Sequence, residues 1–309
     1  MYNENTYKVS VTYQIYMNFT HLFAFFEVAR AGSVSAGAEK LRVSQPAVTR
    51  EIKELEDRLG VTLFDRLPRG VALTQAGAAL QAYAERIFAL SAAAEVELKE
   101  LAGLSAGHLS IGASATVGVY LVPETVAAFS SLFPKVSVDL IVTNTEQVEQ
   151  GLQEHKFSLG FIEGLYDNTV FEARKIGEDE IVAVAAVGHP LLRRKVSAHE
   201  LASGMVILRE SGSGTRAAVE QAYQAQGLTM EPLVSVSNTE AIKRMLVSHR
   251  SIAYVSSLSV KDEIRRGDLA ALQVKDLRVK RALHMVWLKG RSLSPSTQAF
   301  FDLALKEVG

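Results

Sequence analysis

The sequence predicts an α + α/β chain: three short helices and a hairpin, one long helix, then an α/β module of two lobes. Three observations carry that prediction. Apolar residues recur at helical spacing from Phe19 to Leu59, with a Pro-Arg-Gly turn soon after. A helical pattern without proline runs from about Ala78 to Leu101. From His108 onward strands alternate with helices, and one stretch is echoed later in the chain.

Leu22, Phe23, Phe25, Phe26, Val28 and Ala29 form the broad apolar face of a first helix, Phe19 to Ala29, which Gly32 ends. Ser33 or Ser35 caps a second helix through Leu41, in which Ala36, Gly37 and Ala38 permit close helix crossing; a tight turn follows at Arg42-Val43. The third helix opens with Ser44 as N-cap and Pro46 in its first turn, where a missing N–H costs nothing. Val48, Ile52, Leu55 and Leu59 line one stripe of it; Pro46, Thr49, Arg50 and Lys53 face the other way, with Gln45 near the border.

That outward face is either an ordinary solvated surface or a reader of DNA. Glutamine suits adenine edges, arginine guanine, threonine a methyl or phosphate, and lysine a phosphate. Gly60 to Thr74 reads as two short strands around Pro68-Arg69-Gly70, a wing with Arg66 and Arg69 as its cations. Two DNA-facing elements in succession favour the second reading.

The stretch Phe19 to Leu80 closely resembles the DNA-binding domain of LysR-type regulators. The residues that carry this are Ser44-Gln45-Pro46-Ala47-Val48-Thr49-Arg50, Leu55-Glu56, Leu59-Gly60, Leu63-Phe64, Arg66 and Leu73-Thr74-Gln75-Ala76-Gly77. The resemblance implies a winged helix-turn-helix that sets Gln45, Pro46, Thr49, Arg50 and Lys53 against double-stranded DNA, with Ser44 at the helix start and Arg66 and Arg69 in the wing.

Thr74 caps the long helix, in which Leu80, Ile87, Ala94 and Leu101, with Ala84, Ser91 and Leu98 between them, form a seam of coiled-coil type. The alternative is a helix packed on its own domain. The resemblance favours dimerisation through this helix, hence a homodimer or homotetramer on a pseudo-palindromic promoter site, and leaves RNA polymerase open as a further partner.

In the α/β module, His108 to Ala113 reads as a strand, Val117 to Phe133 as a helix, Val136 to Thr143 as a strand, Thr145 to His155 as a helix and Ser158 to Ile162 as a strand. Strands near Ile181 to Ala186 and Met205 to Leu208, a helix from Thr215 to Gln226 and a strand ending near Val236 follow, in a largely parallel sheet. Asn144-Thr145-Glu146, with Val148, Leu152, His155 and Ile162, is echoed by Asn238-Thr239-Glu240, Ile242, Leu246 and His249, with Ile252 to Val255 as the matching strand. The halves read as related subdomains. LysR-type effector domains share this two-lobed, periplasmic-binding-type α/β architecture, with a cleft between the lobes. The expected organisation is an extension 1–16, a winged helix-turn-helix 17–75, a linker helix and hinge 76–107, and an effector-binding domain 108–309, with lobe I at 108–177 and 281–309 and lobe II at 178–280.

The sharpest candidate site is Arg209-Glu210-Ser211-Gly212-Ser213-Gly214-Thr215-Arg216, between a strand and a helix, where small residues let backbone approach an anion at a helix start. Ligand loop and plain turn are its two readings. Ser114 and Thr116 hold the equivalent place after the first strand, as ligand donors or as helix caps. Asn144 and Asn238 stand where helices begin at the cleft; the threonine and glutamate after each are caps first and ligand contacts second. Glu163 ends a strand facing the same cleft, as an acceptor for a protonated ligand oxygen or as a carboxylate with no ligand role. The run Arg209 to Arg216 also resembles a branch that includes regulators of sulfur, phosphorus-oxyanion and carbon-fixation genes. It implies a small oxyanion or compact carboxylate with Ser114, Thr116, Ser213 and Thr215 as donors; Asn144, Glu163, Arg216 and Asn238 complete the candidate set.

Composition narrows the alternatives. The 309 residues contain no cysteine, which excludes disulfides and thiolate chemistry and points to a cytoplasmic protein. The seven histidines are scattered without metal-ligand spacing, so no metal or cofactor is expected. Net charge of −1 makes bulk electrostatics silent on nucleic acid. No apolar run approaches the roughly 20 residues of a membrane span. Residues 1–16 lack a signal-peptide pattern and are either a tail or a start misplaced before Met17. An enzyme lacks a nucleophile elbow or acid–base constellation here. A solute-binding receptor would leave the winged head unexplained. A regulator of a larger neutral metabolite, or a DNA-binding protein without a ligand, remain as alternatives.

Overall fold

The computed structural model describes residues 17–68, 70–101, 107–204, 206–248 and 251–308. The chain divides into two compact units, Met1–Ala89 and Leu90–Gly309. The expected extension 1–16, Arg69, hinge residues 103–106, Met205 and His249 lie outside the described residues, as do the side chains of Arg66 and Leu101.

The first unit holds α1 (Phe19–Ala31), α2 (Val34–Leu41), α3 (Gln45–Leu59), β1 (Phe64–Arg66), β2 (Val71–Leu73) and the start of α4 (Gln75–Leu101). Gly32 stops α1 at φ 67°, a left-handed conformation that costs least without a Cβ. Ser33, not Ser35, caps α2 through the Ala36 amide at 3.2 Å. Ser44 occupies the N-cap of α3, but its hydroxyl makes no capping bond; Pro46 stands at the second helical position and offers no N–H to receive. Val48, Ile52 and Leu55 are buried and Leu59 half-buried. β1 and β2 pair antiparallel, Phe64 opposite Leu73. Glu56 anchors the hairpin by accepting from the Leu63 and Phe64 amides at 2.7 and 3.3 Å.

The predicted seam on α4 is divided. Ala84 is buried in the head core, where Leu80, Ile87 and Phe88 also pack, the Phe88 ring 5.2 Å from those of Phe23 and Phe26. Further along the seam Ser91 is half-buried and Ala94 and Leu98 are exposed, as is Leu90 beside it. An apolar face repeating at helical spacing serves a neighbouring core as well as a second helix, so its first half is taken within the unit.

The second unit runs β3 (His108–Ser114), α5 (Ala115–Tyr120), α6 (Val122–Leu132), β4 (Ser137–Thr143), α7 (Thr145–Gln153), β5 (Leu159–Glu163), β6 (Phe171–Ala186), α8 (Ala198–Ala202), β7 (Val206–Arg209), α9 (Gly214–Gln224), β8 (Val234–Val236), α10 (Thr239–Ser248), β9 (Ile252–Ser256), α11 (Lys261–Arg266), β10 (Leu269–Ala271), β11 (Val279–Leu288) and α12 (Pro295–Val308). The helix expected over Val117 to Phe133 is two helices, broken at Leu121 (φ −126°). The Pro123 ring would strike the carbonyl four residues earlier if the helix continued.

The nine-stranded sheet has the order β4-β3-β5-β11-β6-β9-β7-β8, with β10 beside β6. β4-β3-β5-β11 and β8-β7-β9-β6 are the same arrangement twice, in agreement with the internal echo. The sheet is parallel only toward its ends, where β3 pairs with β4 and β5 and β7 with β8 and β9. At its centre β6 and β11 run antiparallel and cross from one lobe to the other. Ile176, Leu283 and Met285 belong to one core, Ile181, Ala183 and Val279 to another. The expected lobe division falls inside these strands, at the point where Asp179 pairs with Arg281.

At Gly77, in the first turn of α4, a Cβ would stand 2.1 Å from the Leu63 carbonyl oxygen. Backbone cannot yield as a side chain can, so Gly77→Ala is expected to destabilise the head by about 1–3 kcal/mol. Thermal unfolding of the variant would show this as an earlier transition accompanied by loss of helical signal.

Candidate functional site

The outward residues of α3 are presented as a reading surface requires. Ser44, Gln45, Pro46, Thr49, Arg50 and Lys53 are all exposed. Gln45 receives a bond from the Ser35 hydroxyl at 3.3 Å, and Thr49 donates back to the Gln45 carbonyl at 2.9 Å. Arg50 lies 3.7 Å from Glu51, an exposed pair that holds it only loosely.

In the second unit the sheet brings Ser114, Thr116, Glu163, Ser213 and Thr215 to one buried place between the lobes. A residue the sequence reading missed fills its middle. Arg281 of β11 donates from Nε and Nη2 to Asp179 at 2.9 and 2.6 Å, and from Nη2 to the Thr116 hydroxyl at 2.9 Å. Its Nη1 donates to Glu163 at 3.2 Å and to the Thr215 hydroxyl at 2.9 Å. One guanidinium thus joins a threonine of each lobe. Strand alternation was the available signal: Val279, Arg281 and Leu283 share the inward face of β11, so the arginine is a buried cation that needs partners.

Glu163 is engaged by the protein itself. Its Oε1 accepts from the Thr116 and Val117 amides at 2.8 and 3.2 Å, and Oε2 faces Arg281, so both oxygens have protein partners. The same contacts explain Ser114, which stands at the N-cap of α5 without capping it. Glu163 takes the amides a serine would take, and the buried Ser114 hydroxyl has no partner among the described residues. Ser213 likewise occupies the N-cap of α9 without a side-chain capping bond. The Thr145 hydroxyl is a second buried group without a partner among the described residues.

Asn144 and Asn238, rather than the threonines after them, cap α7 and α10, through the Gln147 and Ala241 amides at 2.9 and 3.0 Å. Both line a cavity of about 490 Å³ with Arg209, Glu210 and Thr239. Arg209, which opens the candidate loop, is buried in a two-pronged pair with Glu210 at 2.7 and 2.9 Å. Glu210 in turn receives Asn144 Nδ2 at 3.4 Å, a bond between lobes, and the Glu146 amide donates to the Gly212 carbonyl at 3.1 Å. Arg216 is not brought to the site: it pairs with Glu220 one turn along α9 at 2.7 Å, the spacing at which helix side chains meet.

A second cavity, of about 660 Å³, is lined by Thr145, Glu146, Glu149, Glu163, Ser213 and Arg281, among others. Glu149 is pushed up to about 7, first by desolvation and then by repulsion from Asp167 and Glu146.

A winged helical head followed by a two-lobed module with buried hydroxyls between the lobes defines a DNA-binding regulator with a sensing domain. Residues 19–78 match the bacterial regulatory helix-turn-helix protein, lysR family, and residues 102–309 match the LysR substrate binding domain. The chain belongs to the LysR family of transcriptional regulators. It is 32% identical over 294 residues to the RuBisCO operon transcriptional regulator of Allochromatium vinosum, covering 95% of this chain and 97% of that one. The structure of full-length CbnR complexed with its target DNA superposes with a TM-score of 0.70 at 24% identity, over 94% of this chain and 100% of that one. The regulatory domain of CcmR from Synechocystis, solved in complex with 2-PG, matches at 25% identity with a TM-score of 0.60, over 65% of this chain and 97% of that one. No helix among the described residues is long and apolar enough to cross a membrane.

Two outcomes are expected. Arg281→Ala strands two buried carboxylates and should destabilise the second unit by about 3–5 kcal/mol, read from urea unfolding. For Glu149, the folded value of about 7 lies above the ordinary 4.5, so the folded state holds the extra proton and stability falls as pH rises through that window. Glu149→Gln should therefore raise the thermal midpoint at about pH 8 and do little at about pH 5, by roughly 1 kcal/mol after solvent screening.

Proposed function

We propose that this regulator is switched by a small anion that enters between the lobes of the second unit and alters how the protein holds DNA. The observation that carries this reading is Arg281, a buried cation bonded to hydroxyls of both lobes, with the buried, partnerless hydroxyl of Ser114 at the start of the helix that carries Thr116. Hydroxyls with hydrogens to give are what a small anion requires, and a ligand that engages both lobes favours one of their relative positions over another. These side chains are buried, so the anion enters as the lobes part and is met by the hydroxyls that Arg281 orients. That the CcmR regulatory domain was solved in complex with 2-PG supports a small ligand for this module.

DNA is read by Gln45, Pro46, Thr49, Arg50 and Lys53 of α3, with Ser44 at the helix start and Arg66 and Arg69 in the wing. The exposure of the described α3 face supports this assignment. Residues 17–75 serve as the DNA-binding domain, 76–107 as linker and hinge, and 108–309 as the effector domain. The protein acts in the cytoplasm without enzymatic activity. It works as a homodimer or homotetramer on a pseudo-palindromic site, where it can meet RNA polymerase. The cavity beside Glu149 supports a second reading, an effector larger than an oxyanion.

The test is fluorescence anisotropy of the full chain on a DNA fragment it selects from a random pool, with small inorganic anions and compact carboxylates added singly at constant ionic strength. One anion is expected to change DNA affinity about tenfold, a coupling of ordinary size. Ser114→Ala and Thr215→Val should lose that response and keep basal DNA affinity. A response undiminished in both variants would move the effector to another cavity, and no response to any anion would sink the anion reading.

A further inference from the structure

The bonds around Arg281 define which anion the place accepts. A guanidinium has five N–H donors, and here all five are engaged: three with Asp179 and Glu163 and two with the threonine hydroxyls. Arg281 therefore has no donor left to give, and its effect is indirect. Because Thr116 and Thr215 accept from it, their own hydroxyl hydrogens point elsewhere and are available to an incoming acceptor. With Ser114 they make a set of three hydroxyl donors.

The acceptors are as well defined. Asp179 is occupied on both oxygens, by Arg281 and by the Ser256 hydroxyl at 2.8 Å. Glu163 Oε1 holds two backbone amides, while Oε2 takes only Arg281 Nη1, at 3.2 Å the longest contact the guanidinium makes. That oxygen has capacity to accept once more. The buried charges are one arginine against two carboxylates, a formal sum of −1.

Resting on the anion reading above, we propose that the site selects a singly charged oxyanion that carries its own O–H, of the class of dihydrogen phosphate, hydrogencarbonate or hydrogensulfite. Three hydroxyls donate to its bare oxygens, and its O–H donates to Glu163 Oε2. A dianion meets the surplus negative charge with twice the repulsion. An anion without hydrogen sets a bare oxygen against the carboxylate, where it has nothing to give.

The experiment is isothermal titration calorimetry of the full chain with inorganic phosphate, hydrogencarbonate, sulfate and nitrate at constant ionic strength, at about pH 6 and about pH 8. Phosphate passes from monoanion to dianion across that range, whereas nitrate keeps its charge and so reports the protein's own pH response. Phosphate affinity is expected to fall severalfold more than nitrate affinity, and at the lower pH phosphate should bind at least about tenfold tighter than sulfate or nitrate. Glu163→Gln keeps an acceptor for the helix amides, gives up the bond from Arg281 Nη1 and removes the surplus negative charge, and should improve sulfate binding and flatten the phosphate response. If that variant fails to fold, the wild-type series decides alone. Sulfate or nitrate binding as tightly as phosphate, or a phosphate affinity that follows nitrate, overturns the selectivity while leaving an anion sensor. No anion bound by a protein that still binds DNA overturns the anion reading itself, and this inference with it.

Discussion

The second unit is organised around one buried ion cluster, Arg281 with Asp179 and Glu163, at the point where β6 and β11 pass between the lobes. Removing three charges from water is costly, and such a cluster persists only when its geometry and its additional hydrogen bonds are good. Here each group has further work. Asp179 receives Ser256 from lobe II, Glu163 receives the first amides of α5 from lobe I, and Arg281 reaches a threonine on each side. A cluster bonded in this way ties the positions of β5, α5, β9 and α9 to one another, so a shift of either lobe disturbs all of its members.

That arrangement also supports the proposal that a small ligand acts between the lobes, because such a cluster does more than hold the domain together. Apolar packing resists separation in proportion to area, whereas an ion cluster exchanges partners when a suitable charged group arrives. Around it the lobes touch through few polar bonds, Asn144 to Glu210 and the Glu146 amide to Gly212 among them. The large apolar cores lie within the lobes. The strongest packing thus lies away from the boundary between the lobes, and the interactions that cross it are of the kind a ligand can replace.

The head and the α/β alternation were legible in the sequence because both rest on local periodicity. Val48, Ile52 and Leu55 announce one face of α3, and the paired Asn-Thr-Glu stretches announce the repeated lobe. What stayed hidden depends on contacts distant in sequence. The β6 segment from Phe171 carries alternate charges and resembles a surface loop until β11 lies beside it. Ser114 reads as a cap because caps are local, and only the fold brings Glu163 to take its amides. Arg281 was within reach, since an arginine between Val279 and Leu283 on an alternating strand must face inward. Its partners, 102 and 118 residues away in the chain, were not.

The long helix shows the same limit in a different form. Apolar residues spaced for a coiled coil are spaced equally well for a neighbouring core, and the first half of the α4 stripe is used in that way by Leu80, Ala84 and Ile87. Self-association through α4, as proposed, therefore falls to surfaces the head leaves open. Tyr83, Leu90 and Leu98 are exposed at 63%, 50% and 66%. Tyr83 and Leu90, seven residues apart, lie nearly in line, whereas Leu98, eighteen residues after Leu80, continues the face that Leu80, Ala84 and Ile87 turn into the head. Large apolar side chains in a row on a long helix gain by being covered. The stripe that Leu80, Ala84 and Ile87 spend on the head is thus open again at Leu98, and a seam formed there would use a later part of the same face rather than the residues that fold the head.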